Sequence, residues 1–226
     1  MRLWQSRCRS TYTQAKATKK RKAVDTARAE AERLLAATQA AADAATQIVA
    51  RVTQHTLVAL DAAKRAQTAP TVRRAKILAN KAVDEEQDAF AATKELAGPL
   101  AAAKTAAEDM ATTLATAEHE AAYVKRTFGS IVNQKRASSR RTKESTTQSP
   151  MQRDLNHVWT AEQAVVKAAE QASQLTKGIH ASHFVCARRI EPVASQITLA
   201  IESGARYDPG TRVVRGPDWY GNQHQR

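Results

Sequence analysis

Apolar residues recur along this chain at alternating three- and four-residue steps. Between Leu100 and Phe128 they fall at Leu100, Ala103, Ala107, Met110, Leu114, Ala117, Ala121, Val124 and Phe128. That alternation is the seam of a helix that lies against another helix. Lys104, Glu108, Asp109, Glu118, Glu120 and Lys125 stand between these positions, so the remaining faces are polar and solvated. A second run, from about Ala23 to Thr68, places Ala27, Ala31, Leu34, Thr38, Ala41, Ala45, Ile48, Val52, His55, Ala59, Ala62 and Ala66 on one seam with no Gly or Pro inside it. Pro70 ends that helix, because proline lacks a backbone donor and restricts the residue before it. The pattern resumes over Thr71 to Ala97, with Val72, Ala75, Ala79, Ala82, Ala89 and Leu96 inward. Gly98-Pro99 is a stop signal, and Leu100 opens the next helix. Three long helices with short proline-centred joints predict an antiparallel bundle or coiled-coil hairpin.

Past Phe128-Gly129 the pattern breaks. Lys135-Arg136, Arg140-Arg141 and Lys143 lie among serines and threonines up to Pro150, which has the composition of an unstructured linker. A further helix is expected over Met151 to Lys177, closed by Gly178, and a short one is opened by Pro192 and runs through Ile201. Thr211 to Val214, between two Gly/Pro/Asp turns, reads as a short strand. The expected class is all-α: an elongated, alanine-rich antiparallel bundle with a short β segment at the C-terminal end. Its organisation is a basic tail (1–22), a long-helix body (23–128), a basic Ser/Thr-rich linker (129–150), a helical segment (151–204) and a β-like end (205–226).

Composition sharpens this picture. Aromatics make up only 4% of the 226 residues, and much of the apolar content is alanine, which favours helix but buries little side-chain area. The net charge of +13 is uneven. Residues 1–24 hold eight Lys/Arg and no acid, residues 125–153 hold eight against Glu144 alone, and the body between them is slightly acidic. Lys19, Lys20, Arg21 and Lys22 form the first basic patch, and Lys135, Arg136, Arg140, Arg141 and Lys143 the second. Such patches meet nucleic acid, anionic membranes or acidic proteins, or act as targeting signals. An intracellular, cytoplasmic or nuclear location is expected, with an organelle transit peptide as the alternative at the N-terminus. No apolar run approaches the roughly 20 residues of a membrane span.

Candidate chemistry is sparse. Two cysteines, Cys8 and Cys186, supply neither a zinc site by themselves nor a disulfide framework. His55 reads as a polar interruption of its seam, and Asp84-Glu85-Glu86 with Asp88 as a solvated acidic face. His180, His183 and Cys186 fit no zinc spacing well. No phosphate loop, nucleophile elbow or metal signature stands out, so no catalytic residue, metal or cofactor is expected.

One motif is specific. Gly210-x-Arg212-Val213-Val214-Arg215-Gly216-Pro217-Asp218-Trp219, followed by Gly221-Asn222-Gln223, resembles the opening of the Mind bomb/HERC-type domain of ubiquitin ligases. The resemblance covers about the last twenty residues. It implies the start of a small SH3-like barrel that recognises partner proteins, in a protein-ubiquitination context, with Arg212 to Trp219 as binding residues. Tyr220 stands alone where the family usually has a further residue, and His224-Gln225-Arg226 replaces an expected Asp-Gly-Gly. The rest of the barrel is missing, which suggests a fragment of a longer chain. A RING module needs eight Cys/His ligands, which two cysteines cannot supply.

Two functional expectations result. One is a non-enzymatic interaction or scaffold protein related to ubiquitin-ligase recognition, its helices binding protein partners or a second copy of the chain. The other is a basic helical protein of nucleus or organelle that binds nucleic acid or a large assembly through its two patches.

Overall fold

A chain this rich in alanine has little reason to leave the helix until proline or charge density interrupts it. The computed structural model describes residues 2–139 and 150–205, with side chains over 13–133 and 150–202. Four helices make up these residues: α1 (Arg2–Gln67), α2 (Val72–Glu95), α3 (Ala97–Ser139) and α4 (Pro150–Ala205). The fold is all-α among the described residues, and the strand expected at Thr211 to Val214 lies outside them. No described helix is long and apolar enough to cross a membrane.

The joints follow from proline. α1 stops three residues before Pro70, and α2 starts behind Thr71, whose backbone is extended (φ −136, ψ 144). The Thr71 hydroxyl accepts a 3.4 Å hydrogen bond from the Arg74 N–H, satisfying one of the donors a helix start leaves open. Pro99 acts differently from Pro70. Its ring excludes the carbonyl four residues back, that of Glu95, and removes one hydrogen bond. α2 therefore ends at Glu95, but Leu96 keeps helical angles (φ −60, ψ −21) and α3 begins at the next residue. Gly98 and Pro99 fall in the first turn of α3, where a missing donor is tolerated.

The chain forms two units, Met1–Ala44 with Gly98–Ile179, and Ala45–Ala97 with His180–Arg226. In the first, Ala27, Ala31 and Leu34 of α1 share a core with Ala106, Met110 and Ala117 of α3 and with Val165, Ala168 and Ala172 of α4. Toward one end, Ala17 and Val24 meet Ala121, Val124, Phe128, Val158 and Ala161. Lower α1 numbers thus go with higher α3 numbers and lower α4 numbers. Within this unit α3 is antiparallel to α1, and α4 is parallel to it. In the second unit Ala59, Ala62, Ala63 and Ala66 of α1 and Ala79 and Ala82 of α2 close around Val193, Ile197 and Ala200 of α4. α2 and α3 each pack against α1 and α4, as an antiparallel bundle requires.

The helices run past four expected breaks. The tail 1–22 is helical from Arg2, because Ala17 and Val24, both fully buried, extend the α1 seam by ten residues. α3 continues past Gly129 to Ser139, with Val132 buried and Ile131 packed on the core. Gly178 and Pro192 do not divide α4. A helical glycine costs about 1 kcal/mol and an interior proline about 3, and burial of Ile179, Ile190, Val193 and Ile197 outweighs both. The segment 151–204 is thus an integral third wall of each unit.

An added Cβ at Gly178 meets no atom within 4 Å. Gly178→Ala is expected to stabilise the chain by about 0.5–1 kcal/mol in urea unfolding. Ala117, fully buried in the seam of α3, should give the opposite result: Ala117→Leu overpacks it and costs about 1–3 kcal/mol. Equal midpoints for the two variants and the parent would contradict the close packing.

Candidate anion-binding site

Antiparallel pairing of α1 with α3 has an electrostatic consequence. Residues 16–24 of α1 lie against residues 120–128 of α3 and against the start of α4. Two basic stretches that are a hundred residues apart in the chain therefore meet at one end of the first unit. The acids there are already engaged. Lys20 Nζ donates to Glu120 Oε1 at 2.6 Å, Arg21 pairs with Asp154, and Lys125 pairs with Glu162. His157 Nε2 lies 2.7 Å from Asp25 Oδ1.

The bases left over face water. Lys16, Lys19, Lys22, Arg126 and Arg153 are exposed, and none has an ion-pair partner among the described residues. Lys16 Nζ lies 5.4 Å from the centre of the Tyr123 ring, near enough for a weak cation–π attraction. Lys16, Lys19 and Lys22 follow one another at three-residue steps along one flank of α1. Lys135 and Arg136 lie further along α3, while Arg140, Arg141 and Lys143 lie outside the described residues. Like charges held together on a rigid helical frame, with local acids neutralised, attract polyanions.

Comparison of the chain with protein-family models, with curated proteins and with solved structures finds no match.

The other candidate residues are placed as follows. Of the Leu100–Phe128 positions, Ala103, Met110, Ala117, Ala121, Val124 and Phe128 are buried, while Leu100, Ala107 and Leu114 are half-buried. Arg212, Val213, Val214, Arg215, Gly216, Pro217, Asp218 and Trp219 lie outside the described residues. The acidic run on α2 is not simply solvated. Glu86 is 4% exposed, because the step from Ala82 to Ala89 carries the seam through it. Glu85 Oε2 lies 2.8 Å from His55 Nδ1. On the α1 seam Thr56 is buried, beside a half-buried His55. The Thr56 hydroxyl donates to the Thr53 carbonyl at 2.9 Å, and Thr38 likewise donates to Leu34 at 2.9 Å, so neither hydroxyl is buried without a bond. His180 and His183 are exposed and flank Phe184, whereas Cys186 is buried. These three side chains are not brought together.

Burial raises the pKa of the Cys186 thiol from its ordinary 9.0, against smaller opposing effects of a bond with Thr93 and the charge of Arg189. The folded chain then holds that proton where the unfolded chain loses it, so stability falls as pH rises through and above the ordinary thiol value. Between pH 8 and 10, urea midpoints should fall further for the parent than for Cys186→Ala. In a Cys8→Ser background, Cys186 should resist a thiol reagent until the chain unfolds. Rapid labelling of the native chain would contradict its burial.

Proposed function

We propose that this chain is a non-catalytic helical binding module that docks the phosphate backbone of nucleic acid through the basic end of its first unit. The observation that carries the reading is the convergence of residues 16–24 and 120–128, whose acids are all paired while Lys16, Lys19, Lys22, Arg126 and Arg153 stay exposed. Phosphate contacts of this type give affinity without sequence preference and weaken steeply with salt.

Two features favour nucleic acid over an anionic bilayer. The apolar residues of α1 at this end, Ala17 and Val24, are spent on the core. Its outer face over 13–22 offers Thr13, Ala15, Lys16, Thr18, Lys19 and Lys22, with no large apolar side chain to insert among lipid tails. Over 13–22 no aromatic residue stands among the bases of α1, and the half-buried Tyr123 lies beneath Lys16, which favours a duplex or folded backbone over stacked single strands. The protein-recognition reading of Arg212 to Trp219 remains a proposal from sequence resemblance, and deleting 206–226 separates it from this one.

The test is fluorescence anisotropy with a 20-base-pair duplex across a salt series. The parent should bind with a steep negative slope of log affinity against log salt. Neutralising Lys19, Lys22, Arg126 and Arg153 together, as glutamines, should flatten that slope by up to about 0.9 for each phosphate no longer neutralised, and deleting 206–226 should leave it unchanged. Salt-insensitive binding, equal slopes in the glutamine variant, or binding only to vesicles containing phosphatidylserine would overturn the proposal.

A further inference from the structure

We propose that His55 of α1 and Glu85 and Asp88 of α2 form a binding site for a divalent transition-metal ion of the zinc class. His55 lies 30 residues from Glu85 in sequence, on another helix of the second unit, yet one donor atom from each of the three residues lies within 4.8 Å of the others. Glu85 and Asp88 stand three residues apart, so both carboxylates project from the same side of α2. His55 faces them across the antiparallel pair, with Nδ1 at 2.8 Å from Glu85 Oε2.

A simple ion pair accounts for two of these groups but leaves the third unexplained. Asp88 brings a second carboxylate to an imidazole that already faces Glu85, and it has no ion pair among the described residues. Asp84, exposed, adds a further carboxylate within one turn. On α1, Arg51, one turn from His55, is engaged by Glu95. A divalent ion between the three groups would replace the proton shared by His55 and Glu85 and neutralise the surplus charge.

The donor set points to the class of ion. One imidazole nitrogen with two carboxylate oxygens suits zinc, cobalt or manganese better than calcium, which prefers six or more oxygens. Ligands at about 2.0–2.1 Å from a tetrahedral zinc lie roughly 3.3 Å apart, so the His55–Glu85 contact would open by about half an ångström. His55 and Glu85 are partly covered, while Asp88 is exposed. The solvent side stays open for entry and for a water ligand. Binding would tie α1 to α2 within the second unit and raise its resistance to unfolding.

The experiment uses the full chain, stripped with EDTA, and zinc chloride as the titrant. Calorimetry should give saturable one-to-one binding, with a rise in melting temperature that EDTA reverses. His55→Ala and the surface change Asp88→Asn should each weaken binding about tenfold or more. Circular dichroism shows whether either variant has lost its helices, and Asp88→Asn, at an exposed site, is the safeguard if His55→Ala does. A double variant lacking His180 and His183 should bind zinc like the parent. Cobalt should report a nitrogen/oxygen site by its visible spectrum and lose that spectrum in Asp88→Asn. Unchanged binding in Asp88→Asn, loss of binding when His180 and His183 are removed, or no saturable binding below millimolar zinc would each overturn the proposal.

Discussion

Close approach of helices along alanine seams is the constraint on which the rest of this structure depends. Among the described residues, more than half of the buried apolar side chains are alanines. Each removes little area from water, so no single contact contributes much. The benefit is proximity: small side chains let backbones come near enough for dispersion to act over many atoms. The larger groups are unevenly shared. In the cluster around Val193 and Ile197 the buried residues of α1 and α2 are all alanine, and α4 supplies the two larger side chains between them. In the first unit α4 again brings Val158 and Val165 to the seams of α1 and α3. Two narrow faces would leave a gap that the bulkier face fills. For that reason α4 runs through Gly178 and Pro192, since stopping at either would remove the residues that complete the core.

The same seams explain how much could be read from the sequence. The α1 positions from Ala27 to Ala66 are buried at every step but His55, because a strict spacing without Gly or Pro leaves few alternatives. Local signals misled where longer-range burial overruled them. Residues 1–22 look like a tail by charge, yet Ala17 and Val24 sit in register with the seam. Gly129 and Gly178 look like stops, but each is followed closely by buried Val132 or Ile179. Glu86 occupies a seam position that its charge disguised. A carboxylate there opposes burial, and only the spacing from Ala82 to Ala89 marked it as inward.

The sites were legible in parts. Composition identified the basic patches, but their meeting depends on α1 pairing antiparallel with α3, which no local pattern encodes. His55 and the carboxylates of α2 are each visible in the sequence, but neither stretch contains the other's ligands. Register across two helices brings them within 4.8 Å. Chemistry assembled from separate helices is thus the part that sequence spacing conceals most completely.

Position relative to the seam also decides which bases hold the fold and which remain available. Lys20 and Arg21 lie between Ala17 and Val24, partly covered, and there they reach Glu120 and Asp154 on the neighbouring helices. Lys19 and Lys22, one residue to either side, point to solvent. Four consecutive basic residues are therefore divided by helical geometry into an inner pair and an outer pair. The inner pair cannot leave its carboxylates without exposing partly buried acids to an unbalanced field. The outer pair can meet an external anion with no rearrangement of the core. The proposed binding at this end would therefore draw on charge that folding does not use, and both roles would fit on a single turn of α1.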